Sequence, residues 1–135
     1  MNGLVLAAFL AAAVCAQEDV PALDIEVTKT HIIAKGGGRP PGSATSETQK
    51  KSLARDAAIV SAQAHLLMYV EALQAGKTTL GEMMKSDKKF DLKVKGTLSR
   101  AEIVKTEWRD DGFAEVTIRV SKKDLKKIRR GLRLP

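Results

Sequence analysis

The sequence predicts an α+β fold: a strand, a long helix, two further strands and a short C-terminal helix, with a three-stranded antiparallel sheet packed on the one long helix. Three observations predict it. Residues 46–75 carry apolar side chains at helical spacing behind a Ser-x-x-Gln start signal. Residues 114–120 alternate strictly between apolar and polar, and the turn former Asp110-Asp111-Gly112 precedes them. Residues 24–35 begin with the same alternation.

Ahead of these elements, Leu4 to Val14 form an uninterrupted apolar run of eleven residues. That length suits the core of a secretory signal peptide and is too short to span a bilayer. Val14-Cys15-Ala16 puts small residues where a signal peptidase requires them, which predicts cleavage between Ala16 and Gln17. Residues 1–16 are thus read as a signal peptide and residues 17–135 as a single domain, with a periplasmic, possible outer-membrane address. Cys15 is the sole cysteine and a candidate lipidation site, although Val14 stands where a lipobox has Gly, Ala or Ser. Cleavage after Ala16 leaves a chain with no cysteine, whereas cleavage before Cys15 tethers it to a membrane.

The first strand is expected over Asp24 to Lys35, with Ile25, Val27 and Ile33 as its apolar positions. Gly36-Gly37-Gly38-Arg39-Pro40-Pro41-Gly42 is expected to end it as a loop. Ser46 and Gln49 then form a capping box, and the helix is expected to run to Ala75 with Gly76 just beyond it. Leu53, Ala57, Val60, Ala64 and Leu67 line one face, and Ala54, Ala58, Ala62, Leu66, Tyr69 and Leu73 widen it. Thr79 to Glu82 caps a short turn of helix. Phe90, Leu92 and Val94 alternate with charged neighbours and predict a second strand, bent at Gly96 and resuming from Ala101 to Trp108. The strand over 114–120 follows, and Ser121 and Asp124 cap a last helix that buries Leu125, Ile128 and Leu132. An open edge at the first strand is available to a neighbouring copy.

Charge is concentrated at the C-terminus. The chain carries +7, and +6 of that lies in residues 121–135, where Lys122, Lys123, Lys126, Lys127, Arg129, Arg130 and Arg133 face only Asp124. These residues are the candidate contacts for anionic lipid or an acidic partner. Few aromatics and an exported address argue against nucleic acid.

No motif specifies a reaction. The glycine loop lacks the Lys of a P-loop, and its prolines remove N–H donors. Ser86 and Lys89 match Ser-x-x-Lys in spacing only, without the other motifs or the larger domain of penicillin-recognising enzymes. His31 and His65 have no cysteine partner and no metal-ligand spacing. We expect no catalytic residue, cofactor or metal.

One pattern carries further. A strand ending in glycines, Ala54-Arg55-Asp56-Ala57-Ala58 in a long helix, Val94-Lys95-Gly96, and Ala114-Glu115-Val116-Thr117-Ile118-Arg119-Val120 closing a hairpin together resemble the bacterial flagellar proteins FlgP and the N-terminal part of FlgT. They also resemble the related Helicobacter-type membrane-associated lipoproteins. The likeness covers residues 25–125 and rests on small and apolar residues. It implies a non-enzymatic structural protein forming homo-oligomeric rings or disks with flagellar or other envelope proteins. The alternative is a monomeric periplasmic binding module that uses the basic helix.

Overall fold

The computed structural model describes residues 24–129 and 131–135. Four strands form one antiparallel sheet: β1 (Ile25–Val27), β2 (His31–Gly38), β5 (Glu102–Trp108) and β6 (Ala114–Ser121), in the order β1-β2-β6-β5. The long helix α1 (Glu47–Glu71) crosses one face. Between α1 and β5 lie a two-stranded hairpin, β3 (Gln74–Ala75) with β4 (Thr78–Thr79), and the helices α2 (Leu80–Ser86) and α3 (Lys88–Ser99). Helix α4 (Lys122–Ile128) follows β6. No described helix is long and apolar enough to cross a membrane.

The α+β class holds, but the sheet has four strands rather than three, because the expected first strand is a hairpin. Thr28 turns the chain: its N–H donates to His31 O at 2.9 Å, and its hydroxyl accepts from His31 N at 3.0 Å. A side-chain hydroxyl does the work that Gly, Asn or Asp does in most turns.

The second difference is residues 88–99, which form a helix rather than a strand. Phe90, Leu92 and Val94 alternate, but Phe90, Val94 and Leu98 also recur every four residues, and short apolar runs do not separate the two periods. The cap decides: the Asp87 carboxylate accepts from Phe90 N at 3.2 Å. Val94 and Leu98 are then buried, Leu92 is left exposed, and Lys95 pairs with Asp91 one turn back at 3.2 Å. Gly96 sits inside this helix, not at a strand bend.

The third correction concerns Gly36, Gly37 and Gly38, which lie inside β2 and pair with Val116, Glu115 and Ala114. A Cβ on Gly36 would stand 2.2 Å from Ala62 N, and one on Gly38 would stand 2.3 Å from Ala54 O. The glycines are there so that the backbone of α1 can rest on the backbone of β2. The helix matches them with Ala54, Ala58, Ala62, Leu66 and Val70, all fully buried. The contact row therefore runs in steps of four. The face centred on Ala57, Val60 and Ala64 looks outward, and Val60 is 65% exposed.

Ser46 caps α1 as expected, its hydroxyl accepting from Gln49 N at 3.1 Å. The Gln49 side chain returns to Thr45 N at 2.9 Å instead of to Ser46. The helix ends at Glu71, and Gly76 (φ +70°) is the turn of the β3–β4 hairpin rather than the residue closing the helix. The expected β5–β6 hairpin forms, with Gly112 at φ +85°. Along β6, Ala114, Val116, Ile118 and Val120 are buried beneath α1. Glu115, Thr117, Arg119 and Ser121 face the other side and are half-buried.

Candidate functional site

The basic C-terminal segment is part of the domain rather than a free tail. Ser121 Oγ accepts from Asp124 N at 3.1 Å and starts α4, which buries Leu125 and Ile128. The chain then doubles back: Leu132 is buried and bridges Ala75, and Arg133 N donates to Gln74 O at 3.0 Å. Lys123, Lys126, Lys127, Arg129 and Arg133 stay exposed. Lys127 reaches Asp124 at 3.8 Å, and Lys122 donates to the Pro135 carbonyl. Arg130, Cys15, Ala16 and Gln17 lie outside the described residues.

Beside α4 a groove of about 530 Å³ opens between α3 and the ends of β5 and β6. Lys93, Arg100, Arg119 and Lys127 line it, with Glu102, Asp124 and His31. Arg119 Nε donates to Glu102 at 2.8 Å, and this bond and charge hold the Glu102 carboxyl below the usual carboxylate value. The cations outnumber the acids, so the groove suits an anion. No described polar or charged residue is buried, in the groove or elsewhere.

The other residues marked by the sequence scatter. His65 Nδ1–H donates to Lys35 O at 2.7 Å, and His31 Nδ1 meets the Thr30 hydroxyl at 2.7 Å. Among the described residues no group of three His, Cys, Asp or Glu side chains could hold a metal ion. Ser86 donates to Met83 O at the end of α2. In the Pro-rich turn, Ala44 N donates to Pro41 O at 3.1 Å. The tip of the Phe113 ring meets Gly37, where a Cβ would stand 2.3 Å from Phe113 Cζ. Arg109 and Arg39 sit 4.5 and 5.5 Å from its centroid.

The feature that sequence reading missed is the edge at β5. This strand pairs with β6 on one side, and no described strand pairs with its other side. All its residues but Thr106 are exposed, including Ile103 (39%), Val104 (51%) and Trp108 (41%). Trp108 Nε1–H donates to Lys51 O at 3.1 Å, so the start of α1 reaches the strand at this end. The signal was present: Ile103-Val104 breaks the alternation, and the register slips there as a β-bulge. Among the described residues the first strand also stands at an edge of the sheet, but β1 is three residues long and β5 is seven.

Backbone hydrogen bonds fix which β5 groups point outward. Arg109 N donates to Phe113 O, so that pair is hydrogen-bonded. In an antiparallel ladder such pairs alternate. Glu107 and Lys105 therefore bond to β6, and Thr106 and Trp108 turn their N–H and C=O away from it. On the far side of β6 the bond from Lys122 N to Thr30 O at 2.8 Å fits the same alternation.

Compared with protein-family models, curated proteins and solved structures, the chain matches none.

Proposed function

We propose that this chain is a non-enzymatic assembly protein of the bacterial cell envelope that associates with copies of itself. The observation that carries the reading is β5, a seven-residue edge strand with outward backbone donors and acceptors and exposed apolar side chains. Such an edge is a template for pairing with another chain. The signal-like run over Leu4 to Val14 supports export, and the likeness to the flagellar proteins FlgP and FlgT supports a ring or disk at the motor. Two of the motifs behind that likeness stand on other elements than it implies: the glycines lie within β2, and Val94-Lys95-Gly96 lies in α3. The test is sedimentation of the purified protein across concentration, with imaging of a tagged copy in flagellated cells. Oligomers and fluorescent foci at the motor are expected. A monomer at every concentration sinks self-assembly, and oligomers without foci at the motor sink the flagellar placement.

A second reading rests on a separate observation, the exposed cations Lys123, Lys126, Lys127, Arg129 and Arg133 on one buried-core segment. On this reading the segment docks a monomer on anionic lipid or an acidic envelope partner. Removing residues 121–135 does not test it, because that also removes Leu125, Ile128 and Leu132 from the core. Replacing the exposed cations by Gln does. Vesicle binding that ignores both this change and added salt rules the reading out.

A further inference from the structure

We propose that β5 pairs antiparallel with β5 of a second copy about a two-fold axis at Thr106. The proposal rests on the self-association reading above and adds the surface and the register.

Hydrogen-bond direction restricts the choice first. Between the bulge and the turn, over residues 105–108, Thr106 and Trp108 present their backbone groups outward, so an outward-facing residue must meet an outward-facing one across the axis. A two-fold axis then falls on a residue, not between residues. Charge decides among the centres. An axis at Lys105 sets Lys105 against its own copy, and one at Glu107 sets Glu107 against its own copy. Like charges directly opposite are destabilising. An axis at Trp108 runs the pairing into the Asp110–Gly112 turn. An axis at Val104 or Ile103 centres the pairing on the bulge, where the ladder is interrupted. An axis at Thr106 sets Lys105 against Glu107 twice, once on each side, and brings Trp108 level with the bulged residue, Val104.

These Lys105–Glu107 positions fall at the non-hydrogen-bonded sites of the new ladder, where opposite side chains come closest. Within one chain Lys105 and Glu107 already pair on the same face, each holding the other charged. The second copy completes a four-charge cluster and covers two of the strand's three exposed apolar side chains, Trp108 and Val104, at its ends. A two-fold contact closes on itself, so the product is a dimer. Larger rings would be built from that dimer through a second surface.

The experiment is sedimentation equilibrium on the purified full chain and four variants. Wild type is expected to show a concentration-dependent dimer. K105E and E107K each turn two attractions into two repulsions and weaken the dimer by about ten-fold or more. The double variant K105E/E107K restores the opposite charges and recovers affinity to within about three-fold of wild type. T106P deletes an outward N–H and leaves the bonds to β6 in place, so it abolishes dimers while circular dichroism stays unchanged. If T106P fails to fold, the three charge variants carry the test alone. Oligomers that persist in every variant overturn this pairing and leave self-association standing. A double variant no better than the single ones overturns the register. Wild type that is monomeric at every concentration overturns the pairing and the self-association reading together.

Discussion

Gly36→Ala tests the tightest contact in the fold. The added methyl would meet Ala62 N at 2.2 Å, Ala58 O at 2.5 Å and Ala62 Cα at 2.7 Å. Ordinary contact begins at 3.4 Å, so α1 has to retreat by roughly 1 Å or more. All three atoms are backbone, and no rotamer change relieves them. Overpacking of this kind costs about 1–3 kcal/mol, and the lower unfolded-state entropy of Ala returns about 0.4–1 kcal/mol. A rigid helix that must move as a unit puts the cost at the upper end, so a net loss of about 2 kcal/mol is expected. A domain of this size has about 5–15 kcal/mol in all. The melting temperature should fall by about 6–12 °C.

The assay is thermal and urea unfolding, with two other glycines as controls. A Cβ on Gly42 or Gly96 meets nothing within 4 Å, and neither residue has a positive φ. Gly42→Ala should be neutral or slightly stabilising. Gly96→Ala, inside α3, should stabilise by about 0.5–1 kcal/mol. Pairing Gly36→Ala with Ala62→Gly should give no rescue, because the methyl meets the Ala62 backbone. A Gly36→Ala protein that melts within about 2 °C of wild type would refute the argument that backbone-on-backbone contact is why glycine stands there.

Other outcomes follow from single contacts. Leu66→Ala empties the middle of the buried row and should cost about 2–5 kcal/mol in urea unfolding. Ser46→Ala removes the bond to Gln49 N and should cost about 1 kcal/mol by the same measurement. Glu102 should titrate by NMR below its ordinary 4.5 and return towards it in Arg119→Gln, since the Arg119 bond and charge cause the lowering. Its contribution to stability is full above the unfolded value and disappears as pH falls through the depressed one. Truncation after Ser121 should leave a chain with weakened near-ultraviolet circular dichroism, because Leu125, Ile128 and Leu132 leave the core.

Much of this fold was legible in the sequence where two local signals agreed. Ser46 and Gln49 announced α1, and Asp110-Asp111-Gly112 with strict alternation announced the β5–β6 hairpin. Reading failed where one signal stood for two structures. The triple glycine reads as a breaker, yet in β2 it is the absence of Cβ atoms that matters, and that depends on a helix twenty residues further on. Residues 88–99 carry both periods, and only the Asp87 cap separates them. The basic segment was legible as charge and its Leu125, Ile128 and Leu132 as core, but not the end of the helix at Ile128 and the return of the chain, since the seat of Leu132 beside Ala75 is a long-range contact. The β5 edge is a property of strand order, which local pattern does not specify.

The same small residues that tighten the fold also leave that edge bare. A helix is about 10 Å across and strands lie about 4.8 Å apart, so one helix shields about two strands. Alanine opposite glycine draws α1 down onto β2 and its neighbour β6, and fixes it there with little freedom to slide. The sheet is four strands wide. Helices α2 and α3 pack on each other and on α1 rather than spreading along the sheet, so β5 lies beyond the helical cover with its apolar residues exposed. Larger side chains at Ala54, Ala58 and Ala62 would lift α1 and break the core before they covered β5. The edge is therefore tied to the packing that stabilises the domain, and a second copy of the same strand would cover it without disturbing that packing.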